Sequence, residues 1–220
     1  SKQIKGQLYF NSTTNAFKET ITDIAGGAWA SGTALNTARK QGMGAGTNDA
    51  ALIGGGTSSP ESGKTETWNG SAWTEVNDLN NARSYMAGAG TSTASLAFGG
   101  GPGSSPNLDT YTETWDGSSW TEVNNLNGAK RELGGSGTNT AAIGFGGESG
   151  ASPGKNTNST EIWDGTNWTE VGDLSSARSY LAGAGSSTSA LGFAGTTGSL
   201  VTSTEEFTQP PSSESKLIEG

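Results

Sequence analysis

Residues 112–147 read TETWDGSSWTEVNNLNGAKRELGGSGTNTAAIGFGG, and this stretch decides the fold because the chain repeats it. A nearly gapless copy begins at Thr65 and another begins at Thr160, while a partial copy, AWASGTALNTARKQGMGAGTNDAALIGGG, occupies residues 28–56. One tryptophan column runs through all four copies at separations of 44, 47 and 48 residues: Trp29, Trp73, Trp120 and Trp168. A fixed period of this length is typical of tandem-repeat folds.

Each copy predicts four short β-strands. In the second copy the first strand lies in RSYMAGAG (83–90), the second in ASLAFGG (94–100), and the third and fourth in the TETW and WTEV segments. An Asn-Gly or Asp-Gly dipeptide separates the last two strands of every full copy, and these dipeptides favour the positive φ angles of a tight hairpin turn. The sequence therefore predicts an all-β protein built from four-stranded antiparallel units.

Composition narrows the chemistry that the chain can perform. The 220 residues contain 36 Gly, no Cys and no His, and the formal net charge is −9. These counts exclude disulfides and thiolate metal sites, and they disfavour histidine-dependent catalysis. The acidic balance disfavours nucleic acid as a partner, and no apolar run approaches the ~20 residues that a membrane helix needs. We therefore expect no catalytic residue, cofactor, metal site or membrane insertion.

The repeat resembles the Kelch repeat. Its order is Arg83, a strand of small residues, the doublet Gly99-Gly100, Glu113, Trp115 and Trp120. The sequence departs from the family pattern by Trp in place of the third-strand Tyr, by Lys130 in place of Arg, and by Ala194 in place of a doublet Gly. The resemblance implies a β-propeller and, in that family, a protein-binding surface.

A second resemblance concerns the amino-terminal segment GQLYFNSTTNAFK and the small-residue strands. Both are similar to segments of bacteriophage tail-fibre and other virion structural proteins. In addition, residues 1–6 (SKQIKG) and 215–220 (SKLIEG) share four of six residues. That likeness indicates one module of a tandem array, although chance similarity over so short a stretch is the alternative.

These observations predict a small Kelch-like propeller of four blades, with five blades as the alternative. The fourth strand of the last repeat is missing after Phe207, and its tryptophan is found instead in Ala28-Trp29-Ala30. We therefore expect the amino-terminal strand to complete the last blade and close the ring. The predicted organisation is a hairpin and lead-in at 1–27, a propeller at 28–208 and a tail or linker at 209–220.

Two sets of repeating residues have both a functional and a structural interpretation. A basic residue stands at the start of the predicted first strand of each copy, and a glutamate lies in each third strand; the pairs are Arg39 and Glu66, Arg83 and Glu113, Lys130 and Glu161, and Arg178 and Glu205. They could form a charged ligand-binding ring or tie the strands of one blade together, and their repetition favours the ties. The same reasoning favours core packing over sugar stacking for the tryptophans.

Loops between second and third strands do not repeat, so they are the expected place for specific binding. These loops are 57–63, 102–110, 148–159 and 196–203. The candidate ligand-binding residues on this loop face are Glu61, Lys64, Asn107, Asp109, Tyr111, Glu148 and Lys155.

The leading functional hypothesis is a non-enzymatic structural or adhesive module of a phage virion or extracellular fibre. Its partners would be other copies or modules of the same fibre, or a host-surface protein or glycan. One alternative is a Kelch-type protein-interaction domain of a cellular protein. Another is a glycan hydrolase that uses only carboxylates, with Asp109 and Glu148 as its candidates.

Overall fold

The computed structural model describes residues 6–11, 16–21, 29–58, 61–102, 108–149 and 155–210. The described residues form strands, turns and irregular segments, with no helix among them. The chain forms two compact units, Ser1–Gly32 and Thr33–Gly220. The first unit contains an antiparallel hairpin of β1 (Gly6–Asn11) and β2 (Ala16–Ile21).

The second unit contains four antiparallel sheets, one for each sequence copy, and strands adjacent in sequence pair within each sheet. Sheet 1 consists of β3 (Met43–Gly46), β4 (Ala51–Gly54), β5 (Thr65–Trp68) and β6 (Trp73–Val76). Sheet 2 consists of β7 (Ala87–Thr91), β8 (Ala94–Phe98), β9 (Thr112–Trp115) and β10 (Trp120–Val123). Sheet 3 consists of β11 (Gly134–Gly137), β12 (Ala142–Phe145), β13 (Thr160–Trp163) and β14 (Trp168–Glu170). Sheet 4 has three strands, β15 (Ala182–Gly185), β16 (Ser189–Phe193) and β17 (Thr204–Thr208).

The tight turn predicted between the third and fourth strands is confirmed. In sheet 2, Trp120 lies opposite Trp115, and Gly117 between them has a φ of 96°. The Asp116 carboxylate accepts hydrogen bonds from the backbone N–H groups of Ser118 and Ser119, both at 2.8 Å. These bonds lower the pKa of Asp116 to about 2, so the ionised aspartate holds the turn.

Consecutive sheets pack through their first strands, with β3 against β7, β7 against β11, and β11 against β15. Small residues make this approach close: a side chain added at Gly135 would meet the Phe98 ring at 2.7 Å. The tryptophans Trp115, Trp120, Trp163 and Trp168 are buried between sheets, which confirms the core-packing interpretation for these four. No comparable packing leads from β15 back to β3 in the part of the chain that the structure describes.

The second residue of every first strand is a glycine, and this column supports a prediction with an internal control. Its members are Gly44, Gly88, Gly135 and Gly183. A Cβ at Gly183 would lie 2.7 Å from the backbone O and 2.9 Å from the backbone N of Gly135, and backbone atoms cannot move aside as a side chain can. We expect Gly183→Ala to lower the free energy of unfolding by about 1–3 kcal/mol in urea titrations. Gly44→Ala, in the same column, meets only the Leu52 carbonyl O at 3.9 Å and should change stability little. Equal losses in the two variants would contradict the described packing.

The interpretation of the repeated charges as ties within one sheet is confirmed. Arg83 and Glu113 form an ion pair of 2.8 Å with both side chains fully buried, and Lys130 pairs with Glu161 at 2.9 Å. The other copies of the pair are Arg39 with Glu66 and Arg178 with Glu205. Each glutamate also accepts a backbone N–H from the linker that arrives from the preceding repeat, as Glu161 does from Asn127 at 2.8 Å.

Of the strand predicted at residues 28–30, the two described residues form no strand. Trp29 and Ala30 have no strand assignment, the Trp29 side chain is fully exposed, and Ala28 lies outside the described residues. Sheet 4 accordingly has three strands among the described residues, and its last strand, β17, pairs only with β16. These two residues have no partner strand in the part of the chain that the structure describes, so no ladder of backbone hydrogen bonds holds them extended.

Candidate functional site

One residue per repeat adopts a left-handed backbone just before the first strand. These residues, with φ between 54° and 62°, are Gln41, Tyr85, Glu132 and Tyr180. Side chains with a Cβ seldom take this conformation, so the surrounding structure must enforce it. The enforcement is visible in three of them: the backbone N–H groups of Tyr85, Glu132 and Tyr180 each donate to the carbonyl of the equivalent residue in the preceding sheet, at 2.9 Å in every case. The row therefore links all four sheets at the ends where their first strands begin.

The loops between second and third strands approach the same ends of the sheets. Isolated β-bridges join each lead-in to the loop of its own repeat, as between Ser84 and Gly101 or between Arg131 and Glu148. The left-handed row and the loop face predicted from sequence are therefore one surface. Its side chains differ from repeat to repeat, unlike the buried pairs beneath them.

Five residues on this surface form a contiguous polar and aromatic group, which we call the Tyr–Arg cluster: Tyr85, Arg131, Glu132, Glu148 and Tyr180. The rings of Tyr85 and Tyr180 meet edge to face with centroids 6.5 Å apart. The Arg131 guanidinium carbon lies 5.6 Å from the Tyr85 ring centroid, within the range of a cation–π contact. Tyr180 remains 60% exposed, so its ring is available to a ligand.

Ion pairing and burial shift the pKa values of three cluster residues, Arg131, Glu132 and Tyr180. Arg131 Nη2 and Nε donate to Glu148 Oε2 at 2.9 and 3.0 Å. Burial works to lower the pKa of Arg131, but the hydrogen bond and charge of Glu148 raise it overall. Burial raises the pKa of Glu132, while the Tyr180 hydroxyl and Arg131 oppose that rise. Burial and the neighbouring Glu132 raise the pKa of Tyr180 well above its usual range, so this phenol stays protonated.

The residues predicted from the loops are placed as follows. Glu148 belongs to the Tyr–Arg cluster and is 5% exposed. Lys64 forms a half-exposed ion pair of 2.7 Å with Glu75, outside the cluster. Asp109 is half-buried; burial raises its pKa, and the charge of Arg83 opposes the rise. Asn107 lies outside the described residues.

Three further predicted residues also lie on or next to the loops. Glu61 forms an isolated β-bridge with Thr57. The Tyr111 carbonyl accepts the N–H of Gly99 at 3.0 Å. Lys155 is exposed, and its carbonyl accepts the N–H of Ser149 at 2.8 Å. The structure thus brings Glu148 into contact with partners that the sequence reasoning had not named.

Sequence reasoning missed Tyr85, Arg131, Glu132 and Tyr180 because it assigned them to the first strand of each repeat. A signal was present in the aligned copies. The column reads Gln41, Tyr85, Glu132 and Tyr180, and it varies between two nearly constant neighbours, the basic residue and the small-residue strand. A position that varies while its neighbours stay nearly constant indicates that the fold does not require a particular side chain there.

The described residues contain no cluster of three or more Asp, Glu, His or Cys side chains that could hold a metal ion. None of the elements that the structure describes is a helix long and apolar enough to cross a bilayer. No protein-family model matches the chain, and no curated protein shows significant similarity to it.

Proposed function

We propose that this chain is a non-enzymatic structural and adhesive module of a phage virion or extracellular fibre. The observation that carries the proposal is the contrast between scaffold and surface. Buried ion pairs and tryptophans repeat in the sheets, whereas the Tyr–Arg cluster occurs on one face and does not repeat. A repeated scaffold that presents a unique polar and aromatic surface suits a binding role.

A Kelch-like propeller is the arrangement that we propose for the sheets, with four blades, or five as the alternative. Two features support it. The first strands lie side by side in sequence order and are rich in Gly and Ala, which suits crowding near an axis. In addition, Tyr85 from sheet 2 touches Tyr180 from sheet 4, so the row of sheets bends enough for side chains to converge over sheet 3.

The adhesive role rests on Tyr180 and Arg131. An exposed phenol ring can stack on the apolar face of a sugar or pack against a protein side chain, and its protonated hydroxyl can hydrogen-bond at the edge. Arg131 is held rigidly by Glu148, so it would lose little side-chain entropy on binding. We propose a host-surface glycan or protein as the partner, and localisation on the virion or outside the cell.

The test is binding of the fluorescently labelled chain to a glycan panel and to intact bacterial cells. We expect Tyr180→Ala to weaken binding by about 10-fold or more, the effect of removing an aromatic anchor. The matched control is Leu200→Ala, because Leu200 is 92% exposed but lies outside the cluster. Equal losses in both variants, or binding by neither the parent chain nor its variants, would refute the adhesive role. Hydrolysis of any glycan in the panel would refute the non-enzymatic assignment.

A further inference from the structure

Tryptophans of the fourth strands seal two of the three interfaces between sheets. Trp120 of sheet 2 points toward sheet 1, where its indole N–H donates to Thr65 Oγ1 at 2.8 Å. Trp168 of sheet 3 points toward sheet 2 and donates to Thr112 Oγ1 at 3.0 Å. Each of these indoles is 6% exposed. At both interfaces, therefore, the Trp of the fourth strand fills a space against the preceding sheet.

The third interface, between sheets 3 and 4, has the equivalent space, but no described Trp fills it. Trp168 packs against Phe98 and Trp163, close to Leu126. The equivalent positions at the next interface, Phe145, Phe207 and Leu174, line an open pocket together with Thr160, the equivalent of Thr112. The pocket holds about 340 Å³ of unfilled space, including the solvent at its mouth. Beside it, the outer edge of β17 has no strand partner among the described residues.

The chain also carries a segment with the sequence of a fourth strand and its linker, and the described part of that segment belongs to none of the four sheets. Residues 29–39 align with residues 120–130, which places Trp29 in the column of Trp120 and Trp168. The linker is bound as its counterparts are: the Asn36 N–H donates to Glu66 at 2.7 Å, and Arg39 pairs with the same carboxylate. Its anchor is thus formed on sheet 1, while the Trp29 side chain is fully exposed.

The two ends of the row of sheets expose complementary faces. Leu96 and Phe98 are fully buried on the face of sheet 2 that meets sheet 3, and Phe98 lies 4.9 Å from Trp168. Their counterparts on sheet 4, Leu191 and Phe193, are half-exposed, because no fifth sheet follows in the described residues. At the other end, Trp68 and Trp73 on sheet 1 are likewise half-exposed.

We propose that chains associate head to tail, with the Trp29 strand of one copy completing sheet 4 of the next copy. In that complex the strand pairs antiparallel with β17, and the Trp29 indole fills the pocket and donates to Thr160. Leu191 and Phe193 of the acceptor then pack on Trp68 and Trp73 of the donor. The interface between copies would repeat the interface that sheets 2 and 3 form within one chain. This inference deepens the assembly part of the proposed function, on which it rests, by naming the partner as a second copy. In the assembly the last blade of the proposed propeller is completed by the next copy rather than by the chain's own amino-terminal strand.

A second copy is favoured over closure within one chain because the two faces belong to sheets 1 and 4, whose first strands show no packing, among the described residues, comparable to that between consecutive sheets. The interface is heterologous, since it joins different surfaces of identical chains. Such contacts extend into filaments unless the rotation between copies closes a ring. A fibre is the assembly that the proposed function requires.

Cysteine cross-linking tests the register directly, because the chain has no cysteine of its own. By analogy with Trp168 opposite Trp163, Trp29 should lie opposite Phe207 and Ala30 opposite Glu206. A mixture of the single variants Ala30→Cys and Glu206→Cys should give a covalent dimer under oxidising conditions on a non-reducing gel. Thr204→Cys lies two residues away on the same face of β17, and its mixture with Ala30→Cys should give at least ten-fold less dimer.

The double variant Ala30→Cys with Glu206→Cys separates the two routes of completion. Disulfide-linked oligomers support donation between copies. An internal disulfide in a monomer would overturn the proposal in favour of closure within one chain, and no cross-link by either design would overturn strand donation altogether.

Sedimentation velocity of the full chain provides a second readout that needs no cysteine. We expect the parent chain to associate as its concentration rises, and Trp29→Ala to stay monomeric. Gly44→Leu should also stay monomeric, because it places a side chain on the free face of sheet 1, where the Cβ would meet only the Leu52 carbonyl O at an ordinary contact distance of 3.9 Å. A parent chain that stays monomeric at all concentrations would overturn the proposal. Glycan binding by the monomeric variants would still report on the adhesive role, so failure of one proposal is distinguishable from failure of the other.

Discussion

Glu113→Ala is expected to lower the free energy of unfolding by about 3–5 kcal/mol. The substitution leaves the Arg83 guanidinium fully buried without its counter-charge, and burial already lowers the pKa of Arg83. It also removes the acceptor for the backbone N–H of Asn80, which holds the linker between sheets 1 and 2. Urea titrations monitored by tryptophan fluorescence measure the loss.

Two controls separate burial from charge. Glu75→Ala removes the partner of Lys64 in a pair whose side chains are 41% and 45% exposed, so we expect a change below about 1 kcal/mol. Glu205→Ala removes the equivalent of Glu113 from sheet 4, where the glutamate side chain is 23% exposed, and should fall between the two. A Glu113→Ala loss no larger than that of Glu75→Ala would contradict the buried-pair account.

The repeat predicted the strands well because the information lies within each copy. Asp116-Gly117 specifies its turn through local hydrogen bonds and a positive φ, without help from distant residues. The structural role of Glu113 could also be predicted from sequence, because a charge that recurs in every repeat is more readily explained by the scaffold than by an asymmetric ligand. Both inferences needed only the sequence of one unit and its repetition.

Contacts between repeats were harder to predict. The left-handed backbone at Tyr85 depends on a carbonyl in the preceding sheet, and nothing in the local sequence requires a positive φ for tyrosine. The predicted strand at Trp29 failed for a related reason. Its pattern matches a fourth strand, but a strand forms only where a partner edge is present, and the sequence does not state which copy supplies that edge.

Trp168→Ala is the second substitution with a large expected effect, a loss of about 3–5 kcal/mol in the free energy of unfolding. The indole is buried between sheets 2 and 3, packs on Phe98 and donates to Thr112. Its removal leaves a cavity and an unpaired hydroxyl, and the backbone of β14 cannot collapse into the gap without breaking its pairing with β13. Urea titration of dilute, monomeric protein gives the measurement.

The tryptophan column supplies its own controls because the same residue stands in three environments. Trp73 is half-exposed on the free face of sheet 1, so Trp73→Ala should be milder than Trp168→Ala. Trp29 is fully exposed, and Trp29→Ala should change the dilute chain by less than about 0.5 kcal/mol. At high protein concentration the stability difference between the parent chain and Trp29→Ala should grow, because binding that favours the folded state adds to stability by mass action. The parent chain should then gain stability that Trp29→Ala does not, and a parent whose stability is independent of concentration would show that Trp29 contributes to no interface between copies.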